Sequence, residues 1–363
     1  MKTLLLSLVL FVFSLSAQEM TPETIQRIDE AVQAFAKKQK GGGVAVTVIF
    51  ADPKSKGYQS HTFTYGHAKG PESPAPKTDS IFYLASITKI LTSSVLAKFV
   101  AQGRVKLDDP AQKYVPASVR VPTFQGKEIT LRDLATHTSA LPRDVAVKDP
   151  YHYTKEEFYK WISGYKLKYA PGTKSVYSNL GYGFLGLILS NIAHVSYEDL
   201  VIKEICNPLN MSDTRITLSA GQKERLCDFY SQTGKIIRTG CCPTMPAIIG
   251  SGEFASTLSD MSRFLAFNMG FFNTSMDNIL PLAQSHQFTM SQGHFIGLGW
   301  YNNPLYSNGS IMKISKNGGI AGVSTYIAFV PGSKTGVVVL ANCNSESTTP
   351  LGNQILKIMN PSK

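Results

Sequence analysis

The sequence predicts an α/β fold: an antiparallel sheet built from both ends of the chain and flanked by helices, with an inserted, mostly helical domain. Three observations lead there. β-rich runs occur early, at residues 44–50 and 61–65, and again late, at residues 297–301, 311–315, 323–330 and 336–341. Helical patterns and Pro/Gly-rich loops fill the middle of the chain, and strands flanking a helical middle pair most simply as one sheet. Hydrophobic residues make up 43% and charged residues 17% of the 363, which allows a large core and argues against wholesale disorder. The division expected is an α/β domain from residues 20–105 and 250–363, with residues 106–249 as the helical insertion.

The elements follow in order. Lys2 precedes an apolar run over residues 4–15, and Ser14, Ser16 and Ala17 are small residues suited to cleavage. The run is too short to span a bilayer comfortably, so residues 1–17 read as a signal peptide. A secreted protein is expected, periplasmic in a Gram-negative host, with no stable membrane span. Thr21 can cap a helix carrying Ile28, Val32 and Phe35 at helical spacing, ended by Gly41 to Gly43. Residues 44–50 read as a buried strand and 61–65 as its hairpin partner across a turn with Asp52, Pro53 and Gly57. Residues 86–102 read as a helix with Ile90, Leu91, Val95, Leu96 and Phe99 on one side, and residues 350–359 as a last helix.

Five cysteines leave at least one thiol unpaired. Cys227 with Cys241 or Cys242 could close a short disulfide loop, and buried free thiols are an equal alternative. No Cys/His spacing fits a zinc site, and neither metal nor cofactor is expected. The net charge of +11 attracts polyanions. Export argues against nucleic acid and for an anionic wall polymer or membrane surface, although scattered lysines also serve plain solubility. Oligomeric state is not written in these features.

Three motifs carry chemistry. Ser86-Ile87-Thr88-Lys89 is an S-x-x-K after an apolar run, and positions three apart on a helix share a face, so Lys89 can reach the Ser86 hydroxyl. A serine hydroxyl needs a base to become a nucleophile, and a lysine serves when desolvation or a neighbouring cation lowers its pKa. Tyr177-Ser178-Asn179 supplies a phenol whose anion ammonium groups would favour, and an amide able to donate to and accept from a substrate. Lys316-Asn317-Gly318-Gly319 ends one strand-like run and precedes another. The glycines permit close approach of a substrate, Lys316 can hold a carboxylate, and the N–H groups of Gly319 and Ser86 could form an oxyanion hole.

These motifs, in this order and at about these intervals, resemble those of class C β-lactamases and related penicillin-binding proteins, in the Y-x-N version of the set. The likeness extends to Leu134-Ala135-Thr136-His137-Thr138-Ser139-Ala140-Leu141-Pro142, which resembles L-x-x-H-T-S-G-L. Pro208-Leu209-Asn210-Met211-Ser212-Asp213-Thr214 resembles P-L-G-M-x-D-T, and the stretch from Gly250 to Met261 resembles G-G-x-x-S-T-x-x-D-M. Gly297-Leu298-Gly299-Trp300 resembles G-L-G-W. The segment 130–143 and the Cys227/Cys241 region are most similar to AmpH-type D-alanyl-D-alanine carboxypeptidase/endopeptidases. The resemblance implies a β-lactamase/transpeptidase-like fold, Ser86 as nucleophile, Lys89 and Tyr177 sharing base and acid work, and Asn179 and Lys316 orienting substrate beside Asn317, Gly318 and Gly319. The substrates it implies are D-Ala-D-Ala peptides of peptidoglycan, β-lactams, or both. A class C-type β-lactamase, an esterase or amidase, and a non-catalytic sensor are the alternatives. Asn317 replaces the usual Thr and Ala140 the usual Gly. No deacylating Glu of the class A kind is assignable, so Tyr177 would serve both half-reactions, and His137 reads as structural.

Overall fold

The computed structural model describes residues 20–362 apart from 147, 148, 150, 151, 243 and 273. The expected signal at residues 1–17 lies outside the described residues. Helix α1 (Pro22–Lys38) starts where Thr21 accepts from the Thr24 N–H at 3.1 Å, with Pro22 in the first turn. Strands β1 (Gly43–Ala51) and β2 (Tyr58–Gly66) form the first hairpin. Strand β3 (Ile81–Tyr83) leads through a 3₁₀ turn (Ala85–Ile87) into α2 (Thr88–Ala101). Helices α3 (Leu131–Ala135), α4 (Lys155–Gly164), α5 (Asn179–Ala193), α6 (Tyr197–Val201) and α7 (Ala220–Arg225) follow. A small hairpin, β4 (Phe229–Tyr230) and β5 (Ile236–Arg238), precedes β6 (Ala255–Thr257), which pairs with β3. Helices α8 (Leu258–Asn268) and α9 (Leu280–Gln284) lead to β7 (Phe288–Ser291), β8 (His294–Ile296), β9 (Tyr301–Pro304), β10 (Met312–Ile320), β11 (Val323–Val330) and β12 (Thr335–Ala341). Helix α10 (Thr348–Met359) closes the fold.

The main sheet has eight strands in the order β2-β1-β12-β11-β10-β9-β8-β7, antiparallel throughout, so strands from both ends of the chain lie side by side as expected. β1 alternates between two cores. Val44, Val46 and Val48 pack with α1 and α10, while Ala45 and Ile49 join the large core that also holds residues of α2, α5 and α8. Burial on both faces is why its sequence is a nearly continuous apolar run, interrupted only by Thr47, rather than an alternating one.

Three local expectations are corrected. The regular helix begins at Thr88, and Ser86 sits in the 3₁₀ turn before it. That helix is enclosed on nearly every side rather than on one, and its hydroxyls are satisfied inside: Thr92 donates to the Gly250 carbonyl at 2.7 Å and Ser93 pairs with the Tyr182 hydroxyl at 3.0 Å. Residues 297–300 form a turn, with Gly299 at φ +76°, and the strand starts at Tyr301. Lys316-Asn317-Gly318-Gly319 lies inside β10, and the reversal comes later, at Ala321 and Gly322. All five cysteines are free thiols; Cys206, Cys227 and Cys343 are buried, while Cys241 and Cys242 are half-buried.

Candidate active site

The 3₁₀ turn that carries Ser86 is clamped from two sides. The Leu84 N–H donates to the Phe254 carbonyl at 2.8 Å, and the Thr325 hydroxyl donates to the Leu84 carbonyl at 2.9 Å. Ala85 holds φ +47°, in the left-handed region that costs an L-residue roughly 1–2 kcal/mol. Strand β10 runs directly against this turn. A Cβ at Gly318 would stand 2.4 Å from the Leu84 carbonyl oxygen, 2.4 Å from Thr325 Oγ1 and 3.0 Å from the Ser86 nitrogen, so only glycine fits. At Gly319 a Cβ would meet nothing closer than 3.8 Å. Beyond Ser315, β10 has no β9 partner, which leaves its edge open beside Ser86.

Lys89 and Tyr177 meet at that hydroxyl, and Asn179 holds the Lys89 amine. Tyr177 donates its hydroxyl to Ser86 Oγ at 2.6 Å, and Lys89 Nζ stands 3.3 Å from the same oxygen. Lys89 Nζ is also 2.8 Å from Asn179 Oδ1 and 2.7 Å from the Ser251 carbonyl oxygen. Asn179 opens α5 just after its cap, Ser178, which accepts from the Gly181 N–H at 2.9 Å. The other end of the Asn179 amide donates to Asp144 Oδ1 at 2.8 Å. Both ends of that amide, expected to face substrate, are therefore engaged within the protein.

The electrostatics differ from the sequence expectation in one respect. Burial pushes the Tyr177 phenol up, offset only in part by the Ser86 hydrogen bond and the Arg143 guanidinium, so the phenol is protonated rather than anionic. Lys89 is fully buried. Desolvation first, then the charges of Lys316 and Arg143, push its amine well below the ordinary lysine value. Of the positive neighbours, Lys316 and Arg143 both lower the Lys89 amine, and Arg143 also acts on the phenol. Lys316 is buried as well, its pKa lowered to about 7 by desolvation. Its Nζ lies over the rings of Tyr177 (5.4 Å) and Tyr301 (4.7 Å) and has no hydrogen-bond partner. Asn317 is exposed on the opposite side of β10.

His137 is buried, with its ring centroid 4.4 Å from that of Tyr177, and Nδ1 accepts from the Ser178 N–H at 3.1 Å. Burial and the nearby lysines keep its imidazole neutral, and it supports Tyr177 without touching Ser86. Sequence reasoning missed the Ser251 carbonyl, Arg143, Asp144 and Tyr301. A backbone acceptor leaves no signal in residue type. Arg143-Asp144, directly after the Leu134 to Pro142 segment, was a charged pair that a search around the motif could have found.

Comparisons with known proteins agree with this arrangement. A family model described as Beta-lactamase matches residues 28–357. The D-alanyl-D-alanine-carboxypeptidase/endopeptidase AmpH of Escherichia coli (strain K12) is 36% identical over 317 residues, covering 82% of this chain and 79% of that protein. A beta-lactamase of the same strain is 26% identical over 351 residues, 87% of this chain and 88% of that one. Among solved structures, the beta-lactamase/D-alanine carboxypeptidase from Yersinia pestis complexed with citrate superposes with a TM-score of 0.81 at 27% identity, over 94% of this chain and 98% of that chain. With a family match over nearly its whole described length and a serine hydroxyl approached by a lysine and a tyrosine, the chain belongs to the beta-lactamase family and is a serine hydrolase.

Proposed function

We propose that this chain is a secreted D-alanyl-D-alanine carboxypeptidase/endopeptidase, periplasmic in a Gram-negative host, that forms an acyl-enzyme on Ser86 with peptidoglycan peptides and is acylated there by β-lactams. The observation that carries this reading is the convergence of Tyr177 Oη and Lys89 Nζ on Ser86 Oγ, at 2.6 and 3.3 Å. Held neutral, Lys89 spends its two N–H groups on Asn179 Oδ1 and the Ser251 carbonyl, and its lone pair faces Ser86. Ser86 gives its proton to Lys89 as Oγ bonds to the substrate carbonyl carbon. The N–H groups of Ser86 and Gly319 meet the developing oxyanion. As the C–N bond breaks, Tyr177 protonates the leaving nitrogen and recovers a proton from Lys89. Water then attacks the ester, yielding its proton along the same route, and Ser86 leaves with that proton restored. Lys316 holds the substrate carboxylate, Asn317 on the other side of β10 takes no part in that contact, and Gly318 and Gly319 give the substrate backbone access to the edge of β10.

The 36% identity to a carboxypeptidase/endopeptidase supports the peptidase reading. The match to 88% of a beta-lactamase supports a second one, in which the penicilloyl ester is hydrolysed quickly. A fluorescent penicillin, a chromogenic cephalosporin and a D-Ala-D-Ala peptide separate them. Lasting label with release of D-alanine is the outcome expected; rapid colour without lasting label would establish the β-lactamase instead. Ser86→Ala abolishes labelling, and label that survived it would move the nucleophile elsewhere.

A further inference from the structure

Beside Ser86 lies a second pocket, of about 180 Å³, that the catalytic steps do not use. Tyr83, Phe229, Ile237, Met245 and Ile320 supply its apolar wall, and Glu253 is its carboxyl group. Two features of the chain join it to Ser86. Ile320 directly follows Gly319 on β10, so the strand that passes Ser86 continues into the pocket wall. Glu253 stands two residues from Ser251, whose carbonyl accepts from Lys89, and Gly252 between them faces Ala85. Lys316 marks the carboxylate end of a substrate laid along this edge. Ile320 marks the opposite end, where the acyl group lies.

Glu253 is only 5% exposed, yet its one hydrogen bond comes from the Met245 N–H at 3.3 Å. Among the described residues no cation pairs with it. Arg238 also lines the pocket, but it donates to the Cys241 carbonyl at 3.5 Å and makes no ion pair. The pattern G-G-x-x-S-T has glycine where this chain has Glu253, so the carboxyl is not demanded by the local backbone. Burial pushes it up to about 7, the mark of a carboxylate without its counter-charge. Apolar cavities of about 150 Å³ accept a benzene ring, so the volume suits one ring-sized group.

We propose that Glu253 makes this pocket, on the acyl side of Ser86, selective for a ring-sized apolar group bearing an ammonium, which the Glu253 carboxylate receives. The proposal rests on the Ser86 acyl-enzyme reading. Three penicillins with similar phenyl-containing side groups test it: ampicillin, whose side group carries an ammonium, benzylpenicillin, which is neutral there, and carbenicillin, which carries a carboxylate. Rate constants for acylation of Ser86 should fall in that order, with ampicillin about tenfold or more ahead of benzylpenicillin, the size of a charge-assisted hydrogen bond. In Glu253→Gln the ampicillin-to-benzylpenicillin ratio falls to near one, and Glu253→Asp keeps it well above one. Equal wild-type rates, a faster carbenicillin, or a ratio that survives Glu253→Gln would overturn the subsite while leaving Ser86 in place. Failure of all three to label Ser86 would remove the acyl-enzyme reading and the subsite together.

Discussion

Two buried lysines face the same tyrosine from different parts of the fold, and they are built in opposite ways. Lys89, on α2, has its amine surrounded by Ser86 Oγ, Asn179 Oδ1 and the Ser251 carbonyl, at 2.7 to 3.3 Å. Lys316, on β10, is equally buried, and its amine has only the faces of two aromatic rings. The first is complete before any substrate arrives, as a group that moves a proton must be. The second is left incomplete, which is the ground for proposing that a ligand anion completes it. The catalytic role proposed for Lys89 and the binding role proposed for Lys316 thus go with different partners, although both are desolvated and both have lowered pKa values.

The sharpest way to break this contrast is to replace each by methionine. Lys89→Met should cut acylation by about 10²–10⁴-fold, the usual loss for a missing general base. Lys316→Met should chiefly raise KM for carboxylate-bearing substrates, by about ten- to a hundredfold, with a smaller change in kcat. The same Lys316→Met protein should be more stable by about 1–3 kcal/mol in urea unfolding, because an unpaired buried amine has been removed. Comparable kcat losses in the two variants would erase the distinction.

A pH titration sharpens it further. Burial lowers the Lys316 amine from the ordinary lysine value of 10.5 to about 7, so between those values the folded chain holds fewer protons than the unfolded one. Stability should therefore rise with pH across that window, by up to a few kcal/mol, and less steeply in Lys316→Met. KM for a carboxylate substrate should rise as pH passes about 7, because only the ammonium form attracts the anion. Two neighbouring glycines give a last contrast, with the smallest effect at Gly319. Gly318→Ala should cost about 1–3 kcal/mol and most of the activity, since its Cβ would strike Leu84 and Thr325, whereas Gly319→Ala should fold like the parent.

Much of this was legible in the chain itself. The i, i+3 spacing of Ser86 and Lys89 put both groups at one helix start, the apolar run of β1 announced a buried strand, and β-rich composition announced β11 and β12. What escaped depends on tertiary context. Lys316 to Gly319 was read as the boundary between two strand-like runs, but it lies within a continuous strand, where Gly318 is required by the approach of Leu84 and Thr325. The start of β9 was placed too early because Leu298 and Trp300 are apolar and buried, as strand residues are, while Gly299 bends the backbone between them. The ionisation of Tyr177 was misjudged because nearby cations are visible in a motif and desolvation is not.

The position of β1 between β2 and β12 has a consequence for how the enzyme comes into being. Val44 pairs with Ala341, so one side of an early strand waits for the last strand of the chain. The wall that Gly318 presses against Leu84 is likewise made late. Until β10 to β12 have been made, a nascent chain holds its serine without the surface that would receive a substrate, and it exposes an unpaired strand edge prone to association. Such long-range closure slows folding, and it delays any hydrolase activity until those strands have paired.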